Sequence, residues 1–502
     1  MLVPRRASRH EYAESPQSWI DRNAALRNSA SFLMFSGVAM LAARRHHSSL
    51  GESLLKIFSW ALFISALTYI LYSLAVYGLG VPFSDHGFTH SLRMHPPFAD
   101  LRYLTANSEC GVDLDAYYRG LVVGCDPAGR TYRFDYPPMS IWLGRLLHVA
   151  GRHTAVIAVS IAISFLVVVL RLLHAMLGMG WRFRLLASAL LVGYPTQAAM
   201  ERGNLDLLLF LLMLLLAAVL GLAAQPCKSS VWAQSMSFAL IFLSVSLKIY
   251  PLFGVLGLIA QSRRRRGAQA RLIGDGALAR TIMIAASLAG LLATSSYLFT
   301  VGNLIKEGGL NSHGLMALGY MNMPLIKAFG IDRARTVIRL LLGAKFISLV
   351  TGFVASWFLD LNRASLSLAD SANPQSRPSG FLDMALMLLS SIWLGCYLTT
   401  INYDYRFVYL YPFLGLLVWT AGSAVAGRLQ RAWSNLIVGA TIVVLFTPLL
   451  QVGYTPIGML LVRFVEPLTE FILIPLVAGS LLAFLAARCW ILPQQLLQAR
   501  SS

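Results

Sequence analysis

The sequence predicts an all-α polytopic membrane protein, and three observations support this fold class. Hydrophobic residues make up 57% of the 502 residues, charged residues make up 13%, and the mean hydropathy is +0.65. Apolar runs close to the length that crosses a bilayer, about 20 residues, recur along nearly the whole chain. Basic residues collect in the short segments between these runs. A soluble protein could not cover its surface at this charge density.

The apolar runs predict crossings over 57–80, 154–173, 185–199, 207–225, 233–247, 250–261, 279–300, 335–358, 381–400, 407–423, 435–451 and 467–487. Segment 139–150 is predicted as a helix on the outer membrane surface, with a full crossing as the alternative. Together these segments predict a bundle of about 11–13 transmembrane helices with a large first exoplasmic loop that carries surface helices.

The chain divides into four parts. Residues 1–56 are predicted as a cytoplasmic N-terminal segment with a short interfacial helix over 31–43, which is too short to span. Residues 57–358 form the first transmembrane module and include the exoplasmic loop 82–137. Residues 359–380 are polar and rich in Pro and Ser, which is typical of a loop. Residues 381–502 contain the C-terminal transmembrane helices.

The net charge of +19 is explained by the positive-inside bias of short cytoplasmic loops, so no nucleic-acid partner is expected. The arginines at 263–266 mark one such loop. Counting crossings from it places both termini in the cytoplasm and loops 82–137, 302–333 and 402–406 outside. We expect a multi-pass protein of the inner (plasma) membrane with its active site on the periplasmic face.

Cys110 and Cys125 lie in loop 82–137, either as free thiols or as a disulfide. Such a disulfide closes a loop of about 15 residues, contributes roughly 3 kcal/mol and requires an oxidising compartment. The other cysteines, Cys227, Cys396 and Cys489, lie in or beside apolar segments, where a buried thiol is the simplest interpretation.

The predicted outer face collects most of the unusual polar motifs. They include "FSDHGF" (Asp85), "FADLRYL" (Asp100), "RGNLD" (Arg202, Asn204, Asp206), "LKIYP" (Lys248, Tyr250), "NSHGL" (His313) and "NYDYR" (Asp404, Arg406). Each has a simpler explanation: arginines can snorkel, tyrosines can form the interfacial belt, Asp206 can cap a helix, and His313 can be solvated.

Lys248 is harder to explain by packing alone. It follows an apolar run, and a lysine at the centre of a membrane helix costs about 2.5–3.5 kcal/mol on insertion scales. The next residues, up to Pro251, interrupt the helix, and broken backbone at membrane depth is tolerated where it lines a cavity. Cations in such a cavity favour an anion, phosphate above all. A nearby carboxylate can act as a general base on a hydroxyl. No metal-ligand spacing is present, and no cofactor is expected.

These motifs, with "GVDLDAYY", "FDYPP" and "NYDYRFVYL" in the same order, resemble those of the GT-C membrane glycosyltransferases. The resemblance covers roughly residues 57–420 and is to the polyprenyl-phosphate-mannose-dependent mannosyltransferases of glycosyltransferase family 87. It implies that a sugar, commonly mannose, passes from a polyprenyl-phosphate donor to a glycan or glycolipid acceptor on the outer side, with inversion.

The resemblance also implies roles for individual residues. An essential acid in the first outer loop matches Asp100 best, with Asp85 second. The donor phosphate and sugar would be bound by Arg202, Asn204, Asp206, Lys248, Tyr250, His313, Asp404 and Arg406.

Two other functions fit the same residues. A transporter or flippase of a lipid-linked saccharide would also use a basic cavity and broken helices. A polymerase-type assembly protein or scaffold would not need an essential acid in loop 82–137. The polar residues gather towards one face and no internal repeat is obvious, which favours the enzyme.

Overall fold

Helices account for the regular secondary structure of the part of the chain that the structure describes, and no strand occurs there. The computed structural model describes residues 49–78, 98, 100–101, 104, 137–149, 154–223, 231–264, 276–293, 331–360, 379–399, 404–450 and 465–489. The predicted interfacial helix over 31–43, most of loop 82–137 and most of the predicted loop 359–380 lie outside these residues.

In chain order the α-helices are α1 (Ser49–Gly78), α2 (Pro138–Val149), α3 (Thr154–Leu177), α4 (Trp181–Val192), α5 (Tyr194–Glu201), α6 (Leu205–Ala223), α7 (Val231–Leu247), α8 (Pro251–Arg264), α9 (Gly276–Ala293), α10 (Ile331–Phe358), α11 (Ser379–Leu398), α12 (Tyr411–Gly422), α13 (Arg428–Leu450) and α14 (Ile474–Cys489). A 3₁₀ helix, Asp404–Leu410, leads directly into α12, and a π-helical turn, Thr469–Leu473, leads into α14.

The length and composition of these helices confirm a multi-pass membrane protein. Within the described ranges, six helical segments are long and apolar enough to cross a bilayer: Gly51–Ala75, Thr154–Leu177, Thr336–Phe358, Phe381–Leu398, Arg428–Thr447 and Val465–Arg488. Helices α5 and α6 add a seventh if their 108° bend lies within one span. Helices α7 and α9 are apolar but shorter, and the full count of about 11–13 crossings stays a prediction.

Large apolar side chains on the outer faces of the long helices are exposed. Ile57 on α1 and Leu340 and Ile347 on α10 are 67%, 70% and 67% exposed. One continuous cluster of buried apolar residues fills the interior. Apolar residues on both the inner and the outer face are what a helix bundle in lipid requires.

Proline sets the breaks in the bundle. The predicted break after Lys248 is confirmed, because α7 ends at Leu247 and α8 begins at Pro251. The predicted continuous crossing over 185–199 is wrong. Helix α4 ends at Val192, Gly193 is extended, and α5 begins with Tyr194 and Pro195. Proline has no N–H and its ring clashes with the preceding turn, so it starts a helix rather than continuing one.

Three contacts fix the relative directions of the C-terminal helices. Lys345 of α10 pairs with Glu470, and further along both helices the Ser480 hydroxyl donates to the Gly352 carbonyl at 3.4 Å. Helices α10 and α14 are therefore parallel. The 2.9 Å pair of Arg488 with Asp383 joins the end of α14 to the start of α11, so these two are antiparallel. This alternation agrees with the predicted order of crossings.

Candidate functional site

Six polar residues that the sequence analysis singled out form one connected network, which we name the charged cluster: Asp100, Arg202, Asn204, Asp206, Lys248 and Arg406. They come from four separate stretches of the chain. The spacing of the motifs alone did not predict which of them would touch.

The turn between α5 and α6 builds the first part of the charged cluster. Gly203 has φ +59°, a conformation that glycine adopts at little cost, and a Cβ there would lie 3.0 Å from Cβ of Phe98. The Asn204 side chain accepts a hydrogen bond from the backbone N–H of Asp206 at 2.9 Å. The "RGN" sequence therefore turns the chain, admits the Phe98 segment and caps the start of α6.

Asp100 is held at the same turn by backbone and side chain. Its N–H donates to the carbonyl of Arg202 at 2.9 Å, and the N–H of Phe98 donates to that of Glu201 at 3.0 Å. Arg202 Nε lies 2.9 Å from Oδ2 of Asp100, and Nη2 lies 3.0 Å from Oδ1. Asn204 Nδ2 also donates to Oδ2 at 2.8 Å. These donors define the orientation of the carboxylate completely.

Lys248 lies at the break between α7 and α8, within reach of α6. Its Nζ donates to Oδ1 of Asp206 at 3.0 Å and to Oδ1 of Asn204 at 3.4 Å. Arg406 Nε lies 3.6 Å from Oδ2 of Asp206. The Asp206 side chain is 0% exposed, so two cations compensate a carboxylate that is fully removed from water.

Two tyrosines pack against the inner part of the charged cluster. The Tyr250 ring lies 4.5 Å from the guanidinium carbon of Arg406 and 5.5 Å from Nζ of Lys248. Its buried hydroxyl has no hydrogen-bond partner among the described residues. Tyr409 was missed in the sequence analysis. Its hydroxyl donates to the backbone carbonyl of Asp206 at 3.1 Å. Its position three residues after Arg406 was a usable signal, because residues i and i+3 share a face of a 3₁₀ helix.

The N-terminal ends of three helices meet beside the charged cluster. Helix α6 begins at Leu205 and α8 at Pro251. The hydroxyl of Ser140, in the first turn of α2, donates to the carbonyl of Leu247 at 2.9 Å. The start of an α-helix carries partial positive charge, so this arrangement favours an anion.

Several predicted residues cannot be placed. Asp85, His313, Cys110 and Cys125 lie outside the described residues. Asp404 begins the 3₁₀ helix, but its side chain also lies outside what the structure describes. No group of three or more His, Cys, Asp or Glu side chains that could hold a metal ion occurs in the described part of the chain.

A second buried ion pair, which the sequence analysis missed, lies in the C-terminal half. Lys345 of α10 pairs with Glu470 of the π-helical turn, and their side chains are 0% and 4% exposed. A single lysine in a long apolar helix is the signal that identified Lys248, and it would have identified Lys345 too. Because both partners lie within the bundle, this pair links α10 to the start of α14.

The fold and the charged cluster define a multi-pass membrane protein with a cation-rich site at a helix break. The chain matches no protein-family model, no curated protein and no solved structure. A proposal about function therefore rests on the geometry of the site.

Proposed function

We propose that the protein is a membrane glycosyltransferase. It transfers a mannose-like sugar from a polyprenyl-phosphate donor to a hydroxyl of a glycan or glycolipid acceptor on the periplasmic face of the inner membrane. The proposal rests on one observation: Arg202, Lys248 and Arg406 converge with the carboxylate of Asp100 at the start of the apolar helix α6. A lipid-linked phosphate has the matching polarity, with an anionic head and an apolar tail.

The proposed reaction is a single inverting displacement. The acceptor oxygen attacks the anomeric carbon, the bond from that carbon to the phosphate oxygen breaks, and the polyprenyl phosphate leaves with the electron pair. Arg202, Lys248 and Arg406 stabilise the charge that develops on the phosphate. Asp100, with Asp85 as the second candidate, takes the proton of the acceptor hydroxyl as general base. A carboxylate that acts as a base rather than as a nucleophile gives inversion.

Two further observations support an anionic ligand at this position. The starts of α2, α6 and α8 lie beside the cations, and the helix dipoles add partial positive charge there. Helices α1 and α3, which pack against the Phe98 and Leu101 segment, have exposed apolar residues at this level, with Leu71 and Val156 as examples. Such residues allow a lipid tail to lie against the bundle while the head enters the cluster.

Transfer by purified protein with a panel of polyprenyl-phosphate sugars tests the proposal. We expect Asp100→Asn or Asp85→Asn to abolish transfer, by a factor of about 10²–10⁴ for loss of a general base, while folding survives. Asp383→Asn is the matched control, because Asp383 is also a buried partner of an arginine but lies at the other end of α11. Full activity in both Asp100→Asn and Asp85→Asn would contradict the role of a carboxylate base.

A transporter or flippase of a lipid-linked saccharide is the second candidate. The break at Lys248 and the buried pair of Lys345 with Glu470 favour it, because ionisable pairs and broken helices within the membrane occur along transport pathways. Proteoliposomes separate the two functions. Translocation of a polyprenyl-phosphate sugar without formation of a glycosylated product would establish the flippase.

A further inference from the structure

The carboxylate of Asp100 accepts hydrogen bonds from the same donors that an anionic phosphate would use. Arg202 directs Nε and Nη2 towards its two oxygens, at 2.9 and 3.0 Å. This two-point geometry is the one by which guanidinium groups bind phosphate. The amide of Asn204 completes the set of donors at 2.8 Å. The carboxylate therefore fills an oxyanion subsite made by residues 202 and 204.

The pair of Asp100 with Arg202 lies at the open edge of the charged cluster. The Arg202 side chain is 29% exposed and that of Asp100 is 12% exposed. The inner pair of Lys248 with Asp206 is 9% and 0% exposed. A phosphate head that enters the cluster from its exposed side meets the outer pair first. A partly solvated ion pair also costs less to separate than a buried one.

We propose that Asp100 is a displaceable internal ligand of Arg202, and that the phosphate of the donor takes its place on binding. The inference rests on the proposed function, because it takes the phosphate of a polyprenyl-phosphate sugar as the ligand. It also describes how the site is regulated: in the ligand-free protein the base, Asp100, and the anion-binding group, Arg202, bind each other.

The exchange would order the reaction. In the ligand-free protein each oxygen of the Asp100 carboxylate already accepts two hydrogen bonds from Arg202 and Asn204, so neither is in position to accept the proton of an acceptor hydroxyl. Once the phosphate oxygens accept the hydrogen bonds of Arg202, Asp100 is released beside the bound donor. The base becomes competent only when the donor is present, so an acceptor alone stays unreacted.

Equilibrium binding of farnesyl phosphate to the full-length protein in nanodiscs tests the exchange without any need for turnover. We expect Asp100→Asn and Asp100→Ser to bind farnesyl phosphate about tenfold more tightly than wild type, which corresponds to about 1.4 kcal/mol, because the competing carboxylate is gone. Arg202→Gln should bind more weakly. Asp383→Asn, which removes a carboxylate from another buried arginine pair, should bind as wild type does.

Equal or weaker binding by both Asp100 variants, with folding confirmed by an unchanged circular-dichroism spectrum, would overturn the inference. Inorganic phosphate serves as the second probe. Tighter binding of farnesyl phosphate alone assigns the lipid-linked phosphate as the ligand. Tighter binding of both probes assigns the phosphate group itself. Each of these results supports displacement.

The inference and the proposed function fail separately. If Asp100→Asn binds more tightly but still transfers sugar, displacement holds and the base assignment to Asp100 is wrong. If Asp100→Asn loses transfer without gaining affinity, the catalytic proposal stands and the exchange is refuted.

Discussion

Asp206 is the residue around which the inner part of the charged cluster is built. It is 0% exposed and lies between Lys248 and Arg406. A carboxylate removed from water is tolerated only with charged partners and hydrogen bonds, and removing one partner costs more than the pair contributes. The same cations that are proposed to bind phosphate are therefore also part of what stabilises this end of the bundle.

Lys248→Met should destabilise the protein by about 3–5 kcal/mol, because it leaves the buried carboxylate of Asp206 with less compensation. The thermal unfolding midpoint in detergent measures the loss. Lys56→Met is the control, since Lys56 pairs with Glu52 on the surface of the first turns of α1, with side chains 55% and 65% exposed, and exposed pairs contribute little. A midpoint for Lys248→Met no lower than that for Lys56→Met would contradict the argument.

Helices α10 and α14 approach each other closely because glycines lie at their contact. A Cβ on Gly352 would collide with the carbonyl oxygen of Leu476, and one on Gly479 would collide with that of Leu349. Small residues let membrane helices approach until their backbones touch. The closer contact increases van der Waals packing, which matters in a membrane because the hydrophobic effect does not drive helices together in lipid. The pair of Lys345 with Glu470 lies in this same contact.

Gly352→Ala should lower stability by about 1–3 kcal/mol through overpacking against α14. Gly343→Ala, on the same helix, should cause no loss, because nothing lies within 4 Å of a Cβ there and alanine has the higher helix propensity. The thermal unfolding midpoints of the two variants in detergent test this prediction. Equal midpoints would mean that backbone proximity at Gly352 is not what stabilises the contact.

The two ends of the described helix bundle carry different sets of charged residues. The charged cluster occupies one end. The opposite end of the bundle carries Arg184, which is buried and donates to Ser59 at 2.9 Å, and the pair of Arg488 with Asp383. The positive-inside rule predicts that this second end faces the cytoplasm, which would place the charged cluster on the periplasmic side.

Thiol labelling in spheroplasts tests this orientation. In a background without native cysteines, Arg145→Cys on α2 should react with a membrane-impermeant maleimide, whereas Val425→Cys, between α12 and α13, should react only after permeabilisation. Arg145 is charged and partly exposed, and Val425 is 77% exposed in the segment between two helices, so access to the reagent depends on the side of the membrane. The reverse pattern would place the charged cluster in the cytoplasm and contradict the proposed periplasmic reaction.

Composition and periodic apolar runs were sufficient to determine that the protein is an α-helical multi-pass membrane protein, because the thickness of a bilayer imposes a length on every crossing. The break after Lys248 was also predictable, since Pro251 has no N–H to continue the hydrogen bonding of α7 and its ring clashes with the preceding turn. The break at Gly193 was missed because the segment is apolar on both sides of it, and hydropathy does not register a change of backbone direction.

Only the tertiary structure decided which polar residues touch. The sequence nominated Asp100, Arg202, Lys248 and Arg406 one by one, and each could also have been explained by its local position. Their contacts depend on the turn at Gly203, which brings the Phe98 segment onto α5, and on the packing of α6 against the break between α7 and α8. Such contacts join residues far apart in the chain. The physical reason is that a buried charge must find its partner in space, and nothing in local sequence specifies where that partner lies.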